Sequence, residues 1–281
     1  MLSQIKNIFF VANDLKKSTE EFSLFFTKKP YFKGFSKELG IEINSFNLNN
    51  LNISIINTIG NGLWSKKIIA FKKNKKEGLF GLDFMSTDLD EEYKNLKKLG
   101  ISLSERKKIS FIDDDKKTYL SDFFSIKENN ISNLNISIGD ESNFLREKEK
   151  STASEGIKSI NQVVIKTKDP DKIINLFKEN MKIRLALDKT FKEWSGRMLF
   201  FRINGITIEV VEGDNLEDSN DYYGIGWHTD DFRRCYKSLV NNGFDLSKIR
   251  KGRKPGTLVS TLKNPILGIP TILIGLNGEI S

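Results

Sequence analysis

The residues of this chain whose type and setting suit chemistry lie mostly in its second half. Glu209 stands mid-strand in Ile206-Thr207-Ile208-Glu209-Val210-Val211, where β-branched neighbours predict burial. A carboxylate in that setting needs a cation partner or a chemical task, and the sequence fits either. His228 is the one histidine of the chain. Alternate residues of a strand share a face, so Gly224, Gly226 and His228 look the same way: two bare positions with an imidazole at their rim. That imidazole can act as acid or base near neutral pH, or simply be a hydrogen-bonded histidine at a strand end. Gln162 and Lys166 also share a strand face. Gln162 can hold a substrate oxygen; Lys166 can meet an anion or remain solvated. From Phe191 to Arg202 a turn leads into an aromatic strand. Trp194 there can lid an apolar ligand, and Arg202 can pair with Glu209 or hold a carboxylate. Arg197 is the weaker choice for that task, and the aromatics suit a plain core equally well.

The elements that must position these residues come as one domain written twice. Ile5-Lys6-Asn7-Ile8-Phe9 and Ile160-Asn161-Gln162-Val163-Val164 each open a strand that ends near an Asp and runs into a helical pattern, 155 residues apart. The same offset pairs Leu51–Ile56 with Ile206–Val211. A second block, Phe80 to Leu89, returns as Tyr223 to Phe232 at an offset of 143, so the second half is 12 residues shorter in between. Each half must then be a complete structural unit. Strands are predicted at 5–12, 41–48, 51–58, 81–87, 118–124 and 133–139, then at 160–167, 183–188, 197–204, 206–212, 224–229, 257–262 and 270–275. Helices are predicted at 15–27, 89–99, 170–180 and 231–242. Pro170 sits where a first helical turn accepts proline, and Gly100 and Gly243 sit where helices end. The charged stretch 141–156 has no apolar periodicity and reads as a linker between domains 1–140 and 157–281.

Composition excludes several classes. At 281 residues with 38% apolar content, two ordinary domains can each bury a core. A single cysteine, Cys235, rules out a disulfide framework and fits a reducing, cytoplasmic setting. The opening residues predict no signal peptide, and no apolar run approaches the roughly 20 residues of a membrane span. The net charge of +8 comes mainly from lysines mixed with acids through both halves. It predicts attraction of anions rather than a nucleic-acid partner. No P-loop, dinucleotide fingerprint or Ser-His-Asp triad is present.

The repeat order, with Ile160-Asn161-Gln162-Val163-Val164 and Gly224-Ile225-Gly226-Trp227-His228-Thr229-Asp230-Asp231-Phe232, resembles the vicinal oxygen chelate superfamily. That superfamily includes glyoxalase I, bleomycin-resistance proteins, extradiol dioxygenases and methylmalonyl-CoA epimerase. The resemblance implies an α+β fold of tandem βαβββ units forming two curved, mixed-sheet cups. It also implies that Gly224, Gly226 and His228 lie on the pocket face. In metal-dependent relatives each unit of a cup gives one ligand from its first strand and one from its last. Those positions fall near Asn7, Ser54, Gly81 and Ser137 in the first half, and at Gln162, Glu209, Gly224 and Ile272 in the second. Neither set holds a transition metal well, so no metal ligand and no cofactor is expected; the alternative is one weakly bound divalent ion.

The reading that follows is a metabolite-binding protein with a structural first half and a working second half. Glu209 and His228 are the candidate proton carriers. Gln162, Lys166, Trp194, Arg202, Gly224 and Gly226 are the candidate substrate contacts. The ligand expected is a small oxygenated molecule, anionic or aromatic, and the chemistry a lyase or isomerase reaction. A sequestering protein of the bleomycin-resistance type is the alternative, and a metal-dependent dioxygenase or glyoxalase the third. The chain is expected to act as a monomer or homodimer, without nucleic acid or membrane.

Overall fold

The computed structural model of the protein describes residues 2–127, 131, 133–140, 156–191, 196–213 and 220–277. The first half runs β1 (Leu2–Val11), α1 (Leu15–Phe26), β2 (Phe32–Ser36), β3 (Ile41–Asn47), β4 (Asn52–Thr58) and α2 (Ser65–Lys75). It continues with β5 (Gly78–Ser86), α3 (Leu89–Lys98), β6 (Lys107–Asp113), β7 (Thr118–Ser125) and β8 (Asn135–Gly139). The second half opens with β9 (Ser159–Thr167) and α4 (Pro170–Ile174), which passes into a π-helical stretch, Asn175–Asn180. Then come β10 (Arg184–Phe191), β11 (Gly196–Ile203), β12 (Ile206–Glu212), β13 (Asn220–Thr229) and α5 (Phe232–Asn241). β14 (Arg250–Lys251), β15 (Thr257–Leu262) and β16 (Thr271–Leu276) close it. This is the expected α+β architecture of repeated units. The stretch 141–155, most of the expected linker, lies outside the described residues.

The repeat holds in three dimensions. β1 and β4 pair in parallel with Asn7 opposite Asn52, and β9 and β12 pair in parallel with Gln162 opposite Thr207, both partners displaced by the same 155 residues. The aspartate that ends each repeated strand has a structural task. Asp14, Asp88, Asp169 and Asp231 accept from the backbone N–H of Lys17, Glu91, Lys172 and Arg234 at 2.9–3.1 Å, capping four helices.

The two sheets differ in closure. The first is a closed barrel in the order β1-β4-β3-β2-β6-β7-β8-β5. Its last seam is short, Gly34 opposite Asp113 and Phe35 opposite Ile112. Gly34 is needed there, because a Cβ would stand 2.2 Å from the Ile112 carbonyl oxygen. Neither β2 nor β6 was expected from the sequence, so the closure was not either. The second sheet is open, in the order β10-β11-β12-β9-β13-β16-β15-β14. Its edges do not meet: β14 has two residues, and β10 is exposed along most of its length. α2, also unexpected, belongs to the stretch where the first half is longer, and its apolar face is weak: only Ser65 and Ile68 are buried.

One apolar core joins the halves across their outer sheet faces and helices. Trp227 of β13 packs edge-on against Phe25 and Phe26 of α1, with centroids 5.5 and 5.3 Å apart. Each such buried ring contributes about 2 kcal/mol. Asn50 ties the seam, donating to the Ile160 carbonyl at 2.8 Å and accepting from its N–H at 3.1 Å. Among the described residues, no helix is long and apolar enough to cross a membrane.

Candidate functional site

The first barrel is filled. Trp64, just before α2, packs against Phe9, Phe80 and Phe123 with centroids 4.9, 6.0 and 6.2 Å away. Beside it a cavity of about 20 Å³ remains against Ser137, room for one water-sized group. The polar side chains at the positions where relatives carry ligands bond to one another. The Asn7 amide donates to Ser54 Oγ at 2.9 Å, Ser54 shares a 2.7 Å bond with Ser45, and Ser137 donates to Asp83 at 2.6 Å. Asp83, not Gly81, is the cross-strand partner of both Asn7 and Ser137. Sequence reading passed over Asp83, although an acid inside Leu82-Asp83-Phe84 was a signal. Burial raises its pKa, with Lys6 nearby opposing the shift.

The second cup is open, and its concave face carries most of the expected residues. β9 is central: Gln162 pairs with Gly226 on one side and Thr207 on the other, and Val164 with Gly224 and Glu209. The Gln162 amide donates to Glu209 Oε2 at 2.7 Å. Burial raises the Glu209 pKa above the usual carboxylate range; Arg253 and the Gln162 amide oppose that shift. Arg253 follows β14, several strands away in sheet order. It nonetheless lies close enough to act electrostatically on Glu209. Lys166 lies over the Tyr223 ring, with Nζ 3.5 Å from the centroid.

Two expected relationships change. Arg202 does not pair with Glu209: it stands opposite Thr207 and is exposed, whereas Phe200 faces Glu209. Arg253 supplies the nearby cation instead, and its signal was the run Arg250-Lys251-Gly252-Arg253-Lys254, four basic residues around a glycine. Nor does the structure bring His228 to Glu209. His228 pairs with Ser159 and Glu209 with Val164, on opposite sides of β9. Five strand residues separate the two levels, about 16 Å along the strand, too far for both to serve one atom. His228 has a closer neighbour, Asp230, at 3.4 Å. Arg197 is held by Asp188 and Asp171 at 2.7 and 2.8 Å, a structural pairing. Trp194 lies outside the described residues. Burial pushes the Cys235 thiol up to about 11, which suits a core residue rather than a nucleophile.

The donor set does not fit the metal that the resemblance suggests. In the second cup Gln162 and Glu209 are bonded to each other, Gly224 has no side chain, and Ile272 is apolar. Among the described residues, no three His, Cys, Asp or Glu side chains gather where they could hold an ion.

No family model matches the sequence, and no curated protein is similar to it. Solved structures are similar in fold. A mutant of 4-hydroxymandelate synthase from Streptomyces coelicolor superposes with a TM-score of 0.69 at 10% identity, covering 100% of this chain and 94% of that one. A hypothetical protein from Staphylococcus aureus gives 0.68 at 10% identity over 98% and 100%. A xylose isomerase-like TIM barrel/4-hydroxyphenylpyruvate dioxygenase fusion protein gives 0.65 at 10% identity; this chain is covered fully and spans 50% of that one. Identities this low carry the fold and nothing finer. The chain therefore has a tandem glyoxalase-like fold shared with a 4-hydroxymandelate synthase and a 4-hydroxyphenylpyruvate dioxygenase fusion.

Proposed function

We propose that the second cup binds a small oxygenated anion and that Glu209 moves a proton on it, in an isomerase or lyase reaction. The observation that carries this reading is the Gln162–Glu209 pair, 2.7 Å apart over two glycines, with the Glu209 pKa raised by burial and Arg253 nearby. A carboxylate of raised pKa is a better base than an ordinary one. Arg253 and Lys166 would offset the charge of the ligand, and Gln162 would orient one of its oxygens. The first barrel, shut and filled by Trp64, would serve as scaffold.

Binding without turnover is the second reading. It is favoured by the register that leaves Glu209 the lone acid–base group of the described cup centre, with His228 far along β9. One experiment separates the two. The protein is incubated in D₂O with small 2-oxo acids, and exchange of the C–H beside the carbonyl is followed by NMR. Exchange that disappears in Glu209→Gln supports proton transfer. Saturable binding without exchange supports sequestration, and neither exchange nor binding removes the cup as a site for such acids.

A further inference from the structure

A second cavity lies between the halves, away from the centre of the cup. It has a volume of about 520 Å³, the size of a small-molecule site, and a domain interface is where such sites concentrate. One wall is the end of α2 with the start of β5; the other is the start of β13 with the turn before β16. The walls meet where the Leu267 carbonyl oxygen would lie 3.6 Å from a Cβ on Gly78. Phe71 lines the first wall, and Tyr222, Ile269 and Pro270 the second. Tyr223 also borders the cleft, with 42% of its surface exposed.

Four charged side chains line the cleft: Lys75, Lys76, Glu77 and Asp221. Asp221 is paired with Lys75 across the two halves. Glu77 accepts from the Asn13 N–H at 3.4 Å and lies near Lys72, on which Glu42 acts more strongly. Lys76 has no ion pair among the described residues. Its backbone is unusual as well: φ is 65° and ψ −58°, and the Glu77 N–H donates to the Lys75 carbonyl at 2.8 Å. That is a γ-turn of the strained kind, which a lysine occupies only at a cost. Leu267 on the facing wall is also left-handed, at φ 52°. Each wall thus holds a non-glycine residue with positive φ at the cleft.

We infer that this interdomain cleft is a binding site for a monoanion with a flat apolar body, such as an aromatic carboxylate or sulfonate. The anion meets Lys76, and the rings of Phe71 and Tyr223 cover the apolar part. The site does not rest on the chemistry proposed for the cup, although Lys166 lies over the Tyr223 ring that borders it.

The test uses 8-anilinonaphthalene-1-sulfonate as probe, titrated by fluorescence into the full chain. Lys76→Gly keeps the left-handed backbone and removes the cation; Lys76→Glu reverses it. Glu209→Gln and Arg253→Ala report on the cup. The expected result is a saturable site weakened roughly tenfold in Lys76→Gly and further in Lys76→Glu, and unchanged in both cup variants. The unfolding temperature of Lys76→Gly should not fall, because glycine relieves the turn. Equal affinity in wild type and both Lys76 variants overturns the proposal. So does a site lost only in the cup variants, or no saturable binding at all.

Discussion

A Cβ added to Gly226 would fall 2.7 Å from Cγ of Gln162, so the bare position at 226 is what gives the Gln162 side chain room to reach Glu209. The two residues are direct partners across β9 and β13. Gly226→Ala should push Gln162 aside and break its bond to Glu209. The expected stability loss is modest, roughly 1 to 3 kcal/mol. Ligand binding in the cup should fall more than stability does. Calorimetric titration beside thermal unfolding checks this, and an unchanged affinity would remove Gln162 from the site.

Burial raises the Glu209 pKa in the folded state, so the folded protein favours the protonated acid. The stability linked to this group is complete below the unfolded value, about 4.3, and is lost as pH rises through the folded value. Glu209→Gln removes that loss. The variant should therefore gain stability relative to wild type as pH rises from about 4 to 7. Melting temperatures measured over that range would show a widening gap; a constant gap would mean that Glu209 titrates normally.

Arg253, in the loop after β14, lowers the Glu209 pKa. Arg253→Ala should push the Glu209 titration further upward, visible by NMR of a side-chain-labelled glutamate. It should also weaken anion binding in the cup by roughly tenfold. Lysine at this position should restore part of both effects. Losing affinity while the titration stays fixed would place Arg253 at the ligand alone.

His228 sits about 16 Å along β9 from the level of Glu209. His228→Ala should leave any Glu209-dependent proton exchange within about twofold of wild type, since no shared atom lies within reach of both. Loss of exchange in a folded His228→Ala protein would show that the ligand spans the whole strand.

The sequence by itself determined the duplication and the alternation of strands and helices; the α+β cups came from the resemblance that the repeat order carries. Local signals sufficed for the first two: alternation fixes a strand face, an Asp before an apolar run fixes a helix start, and a repeat offset fixes which strands are equivalent. It also named Gln162, Glu209, Gly224 and Gly226 as candidates: alternation puts the two glycines on one face of their strand, and the resemblance implies that this is the pocket face. What it could not contain was distance along that face. Cross-strand register of β12 with β9 and β11 decided that Gln162 and not Arg202 bonds Glu209, and the bulged pairing of β9 with β13 that His228 stands apart. Closure was also a tertiary outcome. A two-residue seam at Gly34 shuts one sheet while its counterpart stays open, and nothing local in β2 or β14 announces the difference. Arg253 and the cleft at Lys76 belong to the same class. Each depends on segments far apart in the chain being folded together, and side-chain spacing along one strand or helix carries no record of that.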